Sequence, residues 1–145
     1  MDLEDLLNKI LSLEGKEDEI IEEITKQKET QDFIIFLLQE QLFNTGADGK
    51  GKTLGIYTPF TISEKKRKGQ PFDRVTLKDS GDFYRSYFIE TFKGGFIVDA
   101  DDEKDDKYLF EFYGDDVILP NPETLELIAD YYVQQLIEYF KKLLI

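Results

Sequence analysis

Val75-Thr76-Leu77-Lys78-Asp79-Ser80-Gly81-Asp82-Phe83-Tyr84-Arg85-Ser86-Tyr87 lies in the middle of a 145-residue chain, and its reading sets the expectation for the rest. Val75 and Leu77 alternate with Thr76 and Lys78, the period of a strand with one buried face. Asp79-Ser80-Gly81-Asp82 then supplies turn and helix-capping chemistry. Asp and Ser oxygens accept from free backbone N–H groups, and Gly tolerates unusual dihedrals. Phe83 and Tyr84 follow as bulky anchors. The stretch therefore predicts strand, tight cap, short helix, strand. Nothing in it is obviously chemical.

Downstream, Ser86–Phe92 and Phe96–Ala100 are β-rich and flank Lys93-Gly94-Gly95, a hairpin signal. Upstream the chain is helical. Asp2 caps a first helix whose Leu3, Leu6, Leu7 and Ile10 share one face, and Gly15 ends it. Glu17–Thr30 is a second helical stretch, with Ile20, Ile21 and Ile24 as a narrow apolar stripe. Its outer face carries Glu17, Asp18, Glu19, Glu22 and Glu23, either a solvated face or a dock for something basic. Periodicity alone does not separate strand from helix for Phe33–Leu38. The helix formers that follow extend it as a helix to Phe43, closed by Asn44 and Gly46.

The C-terminal third is punctuated by prolines. Lys107–Tyr113 is a short apolar helix ended by Gly114, and Val117–Leu119 a brief strand or an extended link. Asn121 is an N-cap, Pro122 suits the first helical position, and Glu123 favours the helix N-terminus. The terminal helix aligns Leu125, Ile128, Ala129, Tyr132, Leu136, Phe140 and Leu143. At 1.5 Å per residue it is on the order of 35 Å long, which is long for so small a domain. Tyr131, Val133, Ile137 and Leu144 widen its stripe. Either another subunit covers part of it, or a monomer uses all of it internally.

The expected fold is α+β: a small antiparallel sheet with a hairpin, packed by N-terminal helices and a long C-terminal helix. One domain, 1–145, accommodates a helical part at 1–43, a sheet-containing core at 46–119 and the last helix at 121–145. No apolar run approaches a membrane span, and the acidic N-terminus does not resemble a signal peptide.

Composition removes whole classes of chemistry. The chain has neither Cys nor His, so thiol nucleophiles, Cys/His zinc sites and His-based triads are out. A net charge of −13 disfavours nucleic-acid binding through phosphate neutralisation. Such a surface aids solubility, repels DNA and attracts basic partners.

Two motifs tempt further. Gly46, Gly51, Lys52 and Thr53 satisfy the phosphate-loop pattern G-x-x-x-x-G-K-[ST]. That motif needs a strand before it and a helix after it. Here a helix precedes, and the strand-like Leu54–Phe60 follows and runs through Pro59, where no helix start is expected. No nucleotide site is assigned. Asp99, Asp101, Asp102, Asp105 and Asp106 miss the calcium-loop spacing, and a loop capping the next helix is the preferred reading. No cofactor, metal or catalytic residue is assigned.

The basic cluster Lys65, Lys66, Arg67 and Lys68 within Ser63–Gly69 reads as a solvated loop, or as a contact for DNA phosphates or an acidic neighbour. Its contrast with the acidic N-terminal helix lets copies of the chain attract one another head to tail, as in a ring.

Gln39–Gly114 resembles a family of small phage and prophage virion-morphogenesis proteins of the neck or tail-completion type. The matching pieces are Gln41-Leu42-Phe43 before a G-x-D-x-G-type loop, here Gly46-Ala47-Asp48-Gly49 with its second Gly one position early. Leu54-Gly55-x-Tyr57 and Thr61 follow. Then come Thr76-Leu77-x-Asp79-Ser80-Gly81-Asp82-Phe83-Tyr84, with Ser80 in place of Thr, and the Lys104–Gly114 segment. The match covers about half the chain and omits the acidic helices and the last helix. It implies a non-enzymatic virion component at the head–tail junction, assembled in host cytoplasm as a ring of six or twelve copies that contacts portal or other neck and tail proteins. DNA would pass such a ring without adhering, repelled by carboxylates drawn from Glu17, Asp18, Glu19, Glu22 and Glu23 or from Asp101–Asp106. The alternative is an acidic adaptor or DNA mimic that binds a basic partner. Candidate contact residues are Glu19, Glu22, Glu23, Lys65, Lys66, Arg67, Lys68, Phe83, Tyr84, Tyr131, Ile137 and Leu144.

Overall fold

The apolar run Phe33–Leu38 is helical, and the molecule is built around that helix. The computed structural model describes residues 2–104 and 107–144. Among them are seven α-helices: α1 Leu3–Ser12, α2 Glu17–Lys26, α3 Lys28–Thr45, α4 Pro59–Arg67, α5 Asp82–Arg85, α6 Leu109–Tyr113 and α7 Pro122–Leu144. Two antiparallel pairs complete the fold: β1 Phe88–Phe92 with β2 Gly95–Asp99, and β3 Glu103–Lys104 with β4 Lys107–Tyr108. A 3-10 turn spans Asp115–Ile118, replacing the strand or extended link read from Val117–Leu119. The expected α+β class is the observed one.

Ile34, Leu38 and Leu42 recur every four residues along α3 and are completely buried. Each contributes roughly 1.5–3 kcal/mol of hydrophobic stabilisation. Phe83, Tyr84, Tyr87, Val117, Ile118 and Ile128 close around them. The Phe83 ring meets Tyr87 edge-on at 5.3 Å, a favourable aromatic geometry.

The second helical stretch does not run unbroken to Thr30. Gln27 adopts φ −67°, ψ 133°, ending α2 and starting α3 at one residue. The Gln31 amide donates to the Thr25 carbonyl at 3.0 Å, satisfying an end group of α2.

Threonines on either side of this break anchor α7. Thr25 Oγ1 lies 2.5 Å from the Tyr132 hydroxyl, and Thr30 Oγ1 lies 3.1 Å from the Tyr131 hydroxyl. At the other end, Gln41 donates to the Leu119 carbonyl and accepts from Asn121 N–H. So α7 runs antiparallel to α3. Its buried side is Thr124, Ile128, Tyr131, Tyr132, Gln135 and Leu136, while Leu125, Ala129 and Phe140 are exposed. This rotates the apolar face inferred from spacing. The tyrosine hydroxyls decide the rotation, since burying them requires the threonine partners.

Helix ends follow local chemistry. Asp2 accepts from Asp5 N–H, and Asn121 from Thr124 N–H, as capping predicts. Gly46 closes α3 at φ 59°, its N–H bonded to the Leu42 carbonyl. The hairpin forms with Phe92 opposite Gly95, so Lys93 and Gly94 make the turn. Ser86 and Tyr87 stay outside β1.

The decisive stretch folds otherwise than its alternation suggests. Val75–Lys78 is not a strand. Leu77 takes φ 57°, which breaks the pleat, and adjacent Val75 and Thr76 are both buried. Thr76 finds no strand neighbour for its backbone. Its N–H donates to the Tyr57 hydroxyl at 3.1 Å, and its carbonyl accepts from the Tyr84 hydroxyl at 2.5 Å. The short helix after Gly81 is present as α5.

Candidate functional site

The Gly46–Thr53 loop is organised by one carboxylate. Asp48 is buried, and its Oδ1 accepts from the N–H groups of Lys50 and Lys52, each at 2.9 Å. Gly49 presses so close to the Leu119 carbonyl that a Cβ would sit 2.5 Å from its oxygen. Lys50 pairs with Asp116 at 3.1 Å, which raises the ammonium pKa. The amides that wrap phosphates in a phosphate loop are here directed at the protein's own carboxylate. Leu54–Tyr57 forms no strand, and α4 does begin at Pro59, contrary to expectation. Thr58 accepts from Thr61 N–H and Pro59 fills the first helical position, a favourable start that spacing from Thr53 obscured.

The aspartate run is spent on local structure. Asp102 Oδ2 accepts from Phe110 N–H, capping α6, as the helix-capping reading expected. Asp101 accepts from Glu103 N–H and Asp99 from Ala100 N–H. Asp105 and Asp106 lie outside the described residues. Among the described residues no carboxylate group is arranged to hold a metal ion.

All three aromatic candidate contact residues are committed internally. Phe83 and Tyr84 belong to the core, and burial raises the Tyr84 hydroxyl pKa strongly. They anchor the core rather than a contact with another chain, because Thr76 and the aromatic cluster draw them inward. Tyr131 stacks on Phe33 at 4.7 Å and bonds Thr30. Leu144 is half-buried at the end of α7, whereas Ile137 is exposed.

The basic cluster is no loop; it forms the last turns of α4. Lys65 is buried, lies over the Tyr57 ring and donates to the Lys78 carbonyl. Its long apolar stem fits the packing while the ammonium keeps a partner. Arg67 pairs with Glu64, and Lys68 with Asp79 at 3.1 Å. The Lys68 hydrogen bond holds the Asp79 carboxyl below its ordinary pKa. Lys66 is exposed, 4.7 Å above the Phe72 ring, with no carboxylate in ion-pair range among the described residues.

On α2, Glu22 pairs with Lys26 at 3.2 Å, and Glu19 reaches Lys93 of the hairpin turn at 3.8 Å. Glu17, Asp18 and Glu23 are exposed, with the Asp18 carboxylate lying against Gly94 of the hairpin turn.

Exposed apolar side chains lie on α7 (Val133, Ile137, Phe140), as its widened stripe suggests, on the hairpin (Phe88, Phe92, Ile97) and at Phe112 of α6; two further groups lie on α1 and around α4. Helix α1 buries none of its residues. Leu6, Lys9 and Leu13 turn toward the molecule, and Lys9 Nζ donates to the Leu143 carbonyl at 3.1 Å. Leu3, Leu7, Ile10 and Leu11 face outward, Leu3 at 70% exposure. The second surface is Ile56, Phe60 and Phe72 around α4, with Ile56 at 90% and Phe60 at 76%. Large apolar side chains exposed to this degree mark interaction surfaces when they group into a patch. The amphipathic pattern of α1 was visible in sequence; Ile56 and Phe60 carried no signal beyond a misread strand.

No family model, no curated protein and no solved structure matches this chain.

Proposed function

We propose that this protein is a non-enzymatic structural subunit that works by assembling, with copies of itself and with neighbours, into a ring at the head–tail junction of a tailed-phage particle. The observation that carries the assembly part is α1, an amphipathic helix whose apolar stripe is presented to solvent. A helix of this kind gains stability by covering that stripe, and among the described residues Leu3, Leu7, Ile10 and Leu11 are left exposed. The head–tail placement rests on the resemblance of Gln39–Gly114 to virion-morphogenesis proteins. Within such a ring, the carboxylates best suited to repelling passing DNA are Glu17, Asp18 and Glu23, since Asp101 and Asp102 are engaged in local caps. No described helix is long and apolar enough to cross a membrane.

Imaging of intact particles tests the reading: density for this chain in a ring between portal and tail supports it, and its absence from the particle defeats it. The same exposed acids of α2 favour a second reading, an adaptor that binds a basic partner. A soluble monomer that captures a basic host protein and forms no ring, alone or on a portal, favours the adaptor.

A further inference from the structure

The exposed apolar groups of α1 and of α4 lie at opposite ends of α3. Tyr131 meets Thr30 near the start of α3, and α7 continues past that point to Leu143, where α1 is attached through Lys9. The α1 surface is therefore beyond the start of α3. The α4 segment is fastened at the other end. Arg74 Nε donates to the Phe43 carbonyl at 2.7 Å, and Arg74 and Lys78 both lie over the Phe43 ring. Lys65 then ties α4 to Lys78. Eighteen residues of helix separate the two ends, about 27 Å at 1.5 Å per residue.

The ends also differ in charge. From Asp2 to Lys26 the chain has Asp or Glu at positions 2, 4, 5, 14, 17, 18, 19, 22 and 23, against Lys9, Lys16 and Lys26. From Ile56 to Asp79 it has Lys65, Lys66, Arg67, Lys68, Arg74 and Lys78, against Glu64, Asp73 and Asp79. Lys65 is buried and Arg67, Lys68 and Arg74 are paired with those acids, so Lys66 and Lys78 carry the exposed positive charge without an ion-pair partner among the described residues. A segment of net positive charge in a chain of net charge −13 stands out; it contains the exposed Ile56, Phe60 and Phe72, with Lys66 over the Phe72 ring.

We infer that the α1 surface of one copy docks on the α4 surface of the next, apolar stripe against Ile56 and Phe60, with the acidic helices facing Lys66 and its neighbours. This rests on the assembly reading above and specifies its contact. Charge selects the pairing: α1 against α1 would bring carboxylates together, and α4 against α4 would bring cations together, whereas α1 against α4 matches both charge and apolarity. Two different patches in contact make a heterologous interface, which propagates head to tail and closes into a ring when the rotation permits.

Sedimentation velocity on the full chain tests this, with two variants that each disable one end: Leu7→Ser with Leu11→Ser, and Phe60→Ser with Lys66→Ser. All four side chains are exposed. The wild type is expected to self-associate with rising concentration, less so as salt rises. Each variant alone is expected to remain monomeric, and an equimolar mixture to form a one-to-one dimer and nothing larger. That rescue also shows that both variants are folded. A variant that assembles like the wild type, or a mixture that stays monomeric while the wild type assembles, overturns the α1–α4 contact and leaves the assembly reading standing. A wild type that stays monomeric at every soluble concentration overturns the contact as well; the subunit reading is then decided separately by particle imaging.

Discussion

Helices α3 and α1 reverse the usual relation between pattern and burial. α1 has a clean apolar stripe at helical spacing and buries none of its residues. α3 has apolar residues on most sides and encloses Ile34, Leu38 and Leu42 completely. A stripe states that a helix gains by acquiring a neighbour; it does not say whether that neighbour belongs to the same chain. α3 is surrounded because α2, α7, the hairpin and the Phe83–Tyr87 cluster all close on it. Among the described residues α1 packs chiefly against the end of α7, and Leu3, Leu7, Ile10 and Leu11 remain exposed.

The comparison is sharpest under truncation. Leu42→Ala is expected to cost roughly 2–5 kcal/mol, read by urea denaturation, because it opens a cavity at a completely buried site. An unchanged midpoint would mean that α3 is not the centre of the core. Gly46→Ala is expected to cost about 2 kcal/mol, from the left-handed φ and a Cβ 2.7 Å from the Arg74 Cβ. Tyr84→Phe removes the donor to the buried Thr76 carbonyl and is expected to cost about 1–3 kcal/mol. Thermal melting of that variant shows whether the broken pleat at Leu77 depends on this bond.

The paired change Leu7→Ser with Leu11→Ser is expected to shift monomer stability by no more than about 0.5 kcal/mol, since both side chains are exposed. If it destabilised the monomer as much as Leu42→Ala, α1 would be part of the core and the contrast would collapse.

The smallest effect is electrostatic. Asp79 has a depressed folded-state pKa, chiefly through Lys68. Its stabilising contribution is present above the ordinary carboxylate pKa and fades as pH falls through the lowered folded value. Because both partners are well exposed, the effect on stability is slight. Lys68→Ala should return the Asp79 titration toward the ordinary range, as followed by carboxyl carbon NMR. A titration unchanged by that substitution would show that the ion pair does not hold in solution.

How legible each region was follows from how local its signals are. Asp2, Gly46, Asn121 with Pro122, and the Lys93-Gly94 turn act within a few residues, and each ends or turns an element as their chemistry dictates. The candidate contacts were read less well. Lys66 and Ile137 are exposed as expected, while Phe83, Tyr84 and Tyr131 are internal and Lys65 is buried. Hydrophobicity and charge mark side chains suited to a contact, but not the surface on which they fall. Ile56 and Phe60 carry little sequence signal because the strand-like run Leu54–Phe60 masks a well-capped helix start at Thr58-Pro59.

By itself, the sequence determined the α+β class, the helix caps at Asp2, Gly46 and Asn121, the hairpin and the segregation of acidic from basic segments, since each depends on neighbours along the chain or on plain composition. Only the tertiary structure decided that Thr76 pairs with tyrosine hydroxyls, that α7 turns Tyr131 and Tyr132 inward, and that the acidic and basic segments sit at opposite ends of α3. Those outcomes depend on hydrogen-bond partners that meet only when α3, α7 and the central stretch pack together.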